Sequence, residues 1–286
     1  MSSRAPQPPN DEQLVRLGQR PKAIPYLKGI WARREFLWDV PLGNLRAQHM
    51  DTVLGNLWNL LNPLLLLGVY FLVFDVVLQV TRVGVPEGMT IPFLAIGVFL
   101  FHWGQRSGTG GAKSITGNEG IIRALTFPRA LMPLSSTIQQ TMAFAIPLAV
   151  MVSIILLYRL PITPMWLLVP ALVTGYFFFN VGVSFVLARI TNLFKDMENL
   201  LTFVYRLLFY LSGVIYSVEG RMGVDGWQAN LFSINPYYSF ITSMRHLLMG
   251  LPMTIWPVVS MAAWTLVLAV GGFFFFKAGE QEYGRA

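Results

Sequence analysis

Long apolar segments constrain this chain more than any other feature of its sequence. A helix needs about 20 apolar residues to cross the hydrocarbon core of a bilayer, and several stretches of the chain reach that length. Hydrophobic residues make up 54% of the sequence and charged residues only 12%, which excludes a soluble globular domain. We therefore expect an all-α membrane protein with six transmembrane helices, at residues 56–80, 91–111, 132–158, 164–188, 199–218 and 255–276.

The second of these spans is the least regular. Its apolar part, residues 91–104, is too short to cross a bilayer, so the helix has to continue through Gln105, Arg106 and the small residues that follow. Gly104 and Gly108 lie four residues apart, a spacing that lets another helix approach closely. We expect close helix packing at this point.

The N-terminal region divides into two parts. Residues 1–28 are polar and rich in proline, which predicts a loosely ordered cytoplasmic arm that lacks the apolar core of a secretory signal. Residues 29–40 combine Trp31 and Trp38 with Arg33 and Arg34, a pattern typical of an amphipathic helix lying on the inner membrane surface.

The rest of the chain, residues 41–286, forms the membrane domain. Its stretch 219–253 is too polar to span a bilayer, and Asn235–Met249 within it predicts a short helix at the outer face before the last span. Sixteen of the 21 lysines and arginines fall before span one, at the end of span two, in the loops after spans two and four, and in the C-terminal tail. The positive-inside rule therefore predicts that both termini are cytoplasmic and that the chain lies in the cytoplasmic membrane.

One amphipathic, charged insert, Asn118–Pro133, separates spans two and three. In a helix, Ile121, Ile122 and Leu125 would share one face, and Glu119 would pair with Arg123 one turn later. The sequence Phe127-Pro128-Arg129 would end that helix. This segment is either an ordinary interfacial loop helix or a place where a cytoplasmic partner grips the membrane domain.

The sequence argues against enzyme chemistry in this chain. Residues 107–114 resemble a phosphate-binding loop, but Ser107 and Ala112 stand where that pattern requires glycine, so no bound nucleotide or other cofactor is expected here. The chain has no cysteine, and its three histidines fall on different segments, which argues against a metal site. A conduit without a metal or catalytic centre is the more plausible kind of protein.

Polar and aromatic side chains inside two spans suggest what such a conduit carries. They recur every three or four residues and so mark one face of each helix; they are Asn59, Tyr70 and Phe74 on span one, and Thr202, Arg206, Phe209, Ser212 and Tyr216 on span five. Aromatic rings stack on sugar rings while hydroxyls and amides bind sugar hydroxyls, which suits a glycan. The alternatives are helix-packing contacts, an interfacial position for Tyr216, and snorkelling of Arg206 to the cytoplasmic surface.

Three ordered motifs resemble those of a known family. They are Thr52-Val-Leu-Gly-Asn-Leu-Trp-Asn-Leu-Leu-Asn-Pro63, Asn118-Glu-Gly-Ile-Ile-Arg-Ala-Leu-Thr-Phe-Pro-Arg129, and Asn235-Pro-Tyr-Tyr with Arg245. Together they resemble the transmembrane subunit of ABC-2 transporters, in the branch that exports polysaccharides and polyol phosphates. Within that branch, the run from Gln48 to Gly55 is most similar to exporters of mycobacterial galactan.

The resemblance implies a fold, partners and site residues. The fold would be that of ABC-2, or type V, exporters, with an N-terminal interfacial helix, a cytoplasmic coupling helix and short outer helices. The chain would form a homodimer with two copies of a separate ATPase that holds the ATP and Mg, and would move a polyprenyl-diphosphate-linked polysaccharide, without a nucleic-acid partner. Spans one and five, with the eight polar and aromatic residues above, would line the path. The coupling interface would comprise Arg33, Arg34, Asn118, Glu119, Ile121, Ile122, Arg123, Leu125, Phe127, Pro128 and Arg129.

Two other functions share some of these features. An ABC-2 exporter of drugs or lipids would have the same topology, with a drier path. A non-transporting membrane scaffold or lipid-modifying enzyme would need no ATPase partner, so co-purification of an ATPase distinguishes it from a transporter.

Overall fold

A computed structural model describes residues 23–48, 52–79, 83–223 and 227–283, and the regular structure in these ranges is entirely helical. Predictions for residues 1–22 lie outside the described residues. The helices, in chain order, are α1 (Ala23–Ala32), α2 (Arg34–Ala47), α3 (Trp58–Val77), α4 (Thr90–Thr116), α5 (Glu119–Ala124), α6 (Leu131–Leu157), α7 (Val169–Leu193), α8 (Met197–Leu211), α9 (Val218–Met222), α10 (Trp227–Phe232), α11 (Pro236–Met249) and α12 (Trp256–Ala278). The last six residues of α3 and the middle of α12 are wound as π-helix.

The segment predicted as an interfacial helix, residues 29–40, is helical, but the helical region is longer and is broken at Arg33 into α1 and α2. Its position at a membrane surface stays a prediction. Helix α1 begins at Ala23, so the prediction of a loosely ordered arm is wrong for residues 23–28. Tyr26 is buried there and hydrogen-bonds to Glu280 near the C-terminus, a distant contact that local composition does not reveal.

Four helices are long and apolar enough to cross a membrane: α3, α6, α12, and the continuous helix Pro164–Leu193, which contains α7. Four of the six predicted spans thus correspond to helices of sufficient length and hydropathy. The charged and glycine-rich α4 and the 15-residue α8 do not meet that standard among the described residues. Their assignment as spans stays a prediction.

Three predicted span boundaries differ from the structure by five or more residues. The helix that contains α7 runs to Leu193, past the predicted end of span four at residue 188. Helix α4 runs to Thr116, past the predicted end at residue 111, because the helix continues unbroken through its glycine-rich part. Helix α8 ends at Leu211, seven residues before the predicted end of span five. Gly213 has a φ of 60°, a left-handed conformation that a continuing α-helix does not contain.

Helix α4 lies at the centre of the fold, and other helices approach it closely at its glycines. A Cβ atom at Gly104 would lie 2.6 Å from Cε1 of Tyr237, and one at Gly108 would collide with the hydroxyl of Tyr205. The close packing predicted for this pair of glycines is therefore confirmed. Buried side chains of α4, α6, α7 and α11 form the main hydrophobic core around it.

The helix predicted over Asn235–Met249 is also confirmed. It is α11, whose first turn is capped by the Asn235 side chain, which accepts a hydrogen bond from the Tyr237 amide at 3.0 Å. Arg245 of this helix is buried, and its guanidinium donates to the carbonyl oxygens of Gly213 and Val214 at 2.8 and 2.7 Å and of Phe93 at 3.2 Å. This one side chain ties α11 to the start of α4 and to the turn after α8.

The backbones of α7 and α12 approach each other closely at Gly182. A Cβ atom at Gly182 would lie 2.7 Å from the backbone nitrogen of Ala269, whereas one at Gly271 has no neighbour within 4 Å. Overpacking of this kind costs about 1–3 kcal/mol. We expect Gly182→Ala to lower the thermal unfolding midpoint of the purified protein and Gly271→Ala, the matched control, to leave it unchanged. Equal midpoints for the two variants would show that α7 and α12 are not packed this closely.

Candidate functional site

Charged side chains gather where α4, α5 and the link between α7 and α8 meet. The Glu119 carboxylate lies 3.1 Å from the Arg123 guanidinium and 3.7 Å from the Lys195 ammonium. Glu198 accepts a hydrogen bond from the Thr116 hydroxyl at 2.9 Å and lies 3.7 Å from Lys113. Such surface pairs stabilise a fold little. They hold three separate segments in one surface, which we call the α5 surface.

The α5 surface differs from the predicted coupling helix in length and orientation. Helix α5 ends at Ala124, and Leu125 is already extended, so the helix stops before Phe127-Pro128. Ile121 and Leu125 are 45% and 62% exposed, but Ile122 is 3% exposed and packs in a core with Ile115 and Leu131 of its own chain. The prediction that Ile121, Ile122 and Leu125 share one helical face is therefore wrong.

Sequence reasoning missed the contribution of the α7–α8 link to this surface. Lys195 pairs with Glu119, and the neighbouring Phe194 is an exposed aromatic side chain. The sequence did carry a signal, because residues 189–198 form a short charged link expected on the same side of the membrane as the Asn118–Pro133 segment. What the sequence lacked was the pairing between the two segments.

Beside the α5 surface, a buried group of polar contacts joins both ends of the described chain. The Tyr26 hydroxyl donates to the Glu280 carboxylate at 2.6 Å and accepts from the Ala130 amide at 3.1 Å. The Arg129 amide donates to the same carboxylate at 2.9 Å, and the Arg129 guanidinium donates to the Glu280 carbonyl oxygen. We call these four residues the terminal clasp. It fixes α1, the start of α6 and the tail after α12 to one another.

Other predicted coupling residues also make contacts inside the chain. Arg33 donates to the Thr126 carbonyl oxygen at 3.4 Å, and the rings of Phe36 and Phe127 lie 6.2 Å apart. Pro128 packs close to Gly29, and Asn118 donates to the Ser114 carbonyl oxygen at 2.9 Å. Arg34 is exposed at the start of α2. The predicted interface residues thus divide into an exposed set on the α5 surface and a set that packs α1 and α2 against the segment after α5.

Burial raises the pKa values of two side chains in the terminal clasp, Glu280 and Tyr26. It raises the pKa of the Glu280 carboxyl above its usual value, although hydrogen bonds from Tyr26 and the Arg129 amide and the charge of Arg129 act in the opposite direction. Burial also raises the pKa of the Tyr26 hydroxyl, and the nearby carboxylate adds to that rise. The proton on Tyr26 therefore stays in place and is available for donation.

The predicted path residues do not form one face. Tyr70 stacks on Phe209 with ring centroids 5.1 Å apart and on Phe74 at 6.2 Å. Phe209 is buried against α4 together with Leu201 and Tyr205, so the packing alternative applies to it. Asn59 lies apart from this cluster, in a cavity bounded by α2, α3, α4 and α6.

The remaining predicted path residues lie along α8 and the turn that follows it. Thr202 and Arg206 are exposed, and the Arg206 guanidinium lies 5.8 Å from the Phe203 ring centroid. Ser212 is buried, donates to the Leu208 carbonyl oxygen at 2.6 Å and accepts from Asn235 at 2.9 Å. Tyr216 is half-buried and donates to the Tyr210 carbonyl oxygen at 2.8 Å. Arg206 and Thr202 are thus the α8 members of the predicted set that a ligand or a second chain can reach.

The chain is similar to membrane proteins of bacterial export systems. The family model of the ABC-2 type transporter matches residues 44–249. The O-antigen export system permease protein RfbA of Klebsiella pneumoniae is 28% identical over 208 residues, which cover 72% of this chain and 77% of the relative. The permease protein of the same name from Myxococcus xanthus is 24% identical over 267 residues, which cover 92% of this chain and 99% of the relative.

The terminal clasp predicts a specific dependence of stability on pH. The pKa of Glu280 is higher in the folded chain than in the unfolded chain, so the folded state binds more protons between the two values. This contribution to stability is complete below the unfolded pKa and is lost as the pH rises through the folded pKa. As the pH rises from about 4 to 7, we expect the thermal unfolding midpoint of the wild type to fall relative to that of Glu280→Gln, whose side chain cannot ionise.

The control for this experiment is Glu87→Gln, because Glu87 is exposed in the loop before α4. Its pH profile should run parallel to that of the wild type. Parallel profiles for wild type and Glu280→Gln would instead show that Glu280 is not held in a buried position.

Proposed function

Because this chain belongs to the ABC-2 type transporter family, we propose that it is the path-forming permease subunit of an exporter of polyprenyl-diphosphate-linked cell-envelope polysaccharide. The observation that carries this proposal is the similarity over 92% of the chain to a protein named an O-antigen export permease. An O-antigen-like glycan or a galactan is the substrate class that the relatives and the sequence motifs support. ATP and Mg bind to a separate ATPase subunit.

The proposed location is the cytoplasmic membrane, with both termini in the cytoplasm. Basic residues support this orientation, because they concentrate in the terminal segments and in the loops that contain α5 and the α7–α8 link. The α5 surface then faces the cytoplasm, where an ATPase is available. The turn after α8 and helices α9 to α11 lie at the opposite, outer end of the molecule.

The α5 surface is the proposed docking site for the ATPase, one copy on each permease subunit. Ile121, Leu125 and Phe194 supply exposed apolar anchors, and Glu119, Arg123 and Lys195 surround them with charge. Protein interfaces commonly combine an apolar centre with a polar rim. Movement of this surface would reach the rest of the chain by a short route, because Arg129 of the terminal clasp lies four residues after Leu125 and two residues before the start of α6.

The proposed functional unit is a homodimer in which α3 and α8 line the path. Both helices present exposed apolar side chains, among them Leu65 and Val69 on α3 and Phe203 and Leu207 on α8. An unpaired arginine in a membrane is costly unless it faces water or a partner, by about 2.5–3.5 kcal/mol on insertion scales. Arg206 lies on this face, where its planar guanidinium can bind phosphate or sugar hydroxyls.

Charged substitutions on the α5 surface test the docking site. Introducing a charge into the centre of an interface costs about 2 kcal/mol or more. We therefore expect Ile121→Asp and Leu125→Asp each to reduce the ATPase activity that co-purifies with the tagged chain from its own cells at least about tenfold. Leu231→Asp is the matched control, because Leu231 is equally exposed but lies on α10, at the other end of α8. If all three variants retain the ATPase, docking occurs elsewhere; if the wild type brings down no ATPase, the transporter assignment fails.

Substitution of Arg206 tests the path in cells depleted of the native copy. Wild type should restore surface polysaccharide and clear the lipid-linked glycan that accumulates inside. We expect Arg206→Leu to lose most of the export and Arg206→Lys to retain part of it, because lysine keeps the charge without the planar geometry. Membrane levels of each variant, measured by immunoblot, exclude a failure of insertion. Full export by Arg206→Leu would show that Arg206 only snorkels, and depletion without any effect on surface glycan would contradict the proposed function itself.

A further inference from the structure

A cavity of 380 Å³ lies inside a single chain, between the end of α2 and helices α3, α4 and α6. It is separate from the exposed α8 face that carries Arg206. Small-molecule sites commonly have volumes of about 300–1,000 Å³, so this cavity is large enough for a ligand headgroup and part of a chain. None of the residues that the structure places along its wall is acidic.

The cavity wall changes in character along its length. Three helices each contribute a stripe of residues at helical spacing, and each stripe is polar at the end nearer α5. The polar end includes Asn59, Arg106, Lys113 and Gln140. The deeper end is formed by Leu66, Phe99, Trp103, Phe144 and Pro147, together with His102, whose ring nitrogen lies 2.8 Å from the Val98 carbonyl oxygen. We call this cavity the amphipathic slot. Its two ends match the two parts of a lipid, a polar headgroup and an apolar chain.

Unpartnered polar groups occur at both ends of the slot. Within the part of the chain that the structure describes, the side chains of Arg106, Asn59 and Gln140 make no hydrogen bond or ion pair, and Lys113 pairs with Glu198 at 3.7 Å. Trp103 is 3% exposed and stacks on Phe144 at 4.3 Å, but its indole N–H has no hydrogen-bond partner among these residues. A buried donor of this kind is expected to meet an acceptor.

We propose that the amphipathic slot binds a lipid whose phosphate-bearing headgroup carries a net negative charge. Arg106 supplies charge-assisted, bidentate hydrogen bonds to phosphate oxygens, with Lys113 as a second cation. The amides of Asn59 and Gln140 bind the remaining oxygens. The apolar chain lies against Trp103 and Phe144. Either a membrane phospholipid or a polyprenyl diphosphate has this chemistry, and the site does not depend on which polysaccharide, if any, the protein exports.

Calorimetric titration of the full-length chain, purified in dodecyl maltoside, tests the site with defined probes. Farnesyl diphosphate represents a polyprenyl diphosphate, and dihexanoyl-phosphatidylglycerol represents an anionic phospholipid. Each of three comparison probes lacks one feature that the proposal requires. Farnesol lacks the phosphate, inorganic diphosphate lacks the apolar chain, and dihexanoyl-phosphatidylcholine lacks the net negative charge. We expect at least one of the two anionic amphiphiles to bind at least about tenfold more tightly than the three comparison probes. The tighter of the two identifies the source of the lipid.

Variants then locate the binding in the slot. Arg106→Gln should lower the affinity for the anionic amphiphile about tenfold. Lys28→Gln, which removes an exposed cation on α1, should leave that affinity unchanged. Ala143→Leu fills part of the apolar end of the slot. It should lower the affinity for the amphiphile without changing the affinity for inorganic diphosphate. Size-exclusion chromatography confirms that each variant is folded. Equal affinity for farnesol and farnesyl diphosphate, or unchanged binding by Arg106→Gln, would overturn the proposal.

Discussion

Close approach of neighbouring helices to α4 is the constraint on which the rest of this structure depends. Lipid tails are as apolar as the side chains they replace, so helices in a membrane associate through packing and hydrogen bonds rather than through burial from water. Glycines of α4 let Tyr176, Tyr205 and Tyr237 reach its backbone. With one face of α4 committed to this packing, its other face, with Arg106 and Lys113, is left to line the amphipathic slot.

Two buried polar groups then fix segments that packing alone would leave loose. At the end of the fold opposite α5, Arg245 reaches three carbonyl oxygens contributed by α4 and by the turn after α8. At the other end, Glu280 receives hydrogen bonds from Tyr26 and from the Arg129 amide. Buried polar groups are costly unless they are hydrogen-bonded, so each arrangement is specific. The Glu280 contacts join the segment after α5 to both terminal segments, and the Arg245 contacts join α11 to the core.

This organisation separates the surfaces that the proposed function requires. The α5 surface is small and mixed in charge, which suits a protein partner, whereas the exposed faces of α3 and α8 are apolar over most of their length. The amphipathic slot lies inside one chain, between the end of α2 and three longer helices. The terminal clasp joins the segment between α5 and α6 to both terminal segments, through the amides of Arg129 and Ala130.

The sequence by itself determined the class of the protein, because the length of apolar segments and the spacing of caps and glycines are local properties. They predicted an all-helical membrane protein, the helix after Asn235 and the close contact at Gly104 and Gly108. Periodicity shows which residues share a helix face, but not what covers that face. Only the tertiary structure therefore placed Ile122 inside its own chain and Phe209 against α4, and brought Glu280 to Tyr26 across 254 positions of sequence. The amphipathic slot depends on contacts among four separate helices, and no local pattern encodes their arrangement.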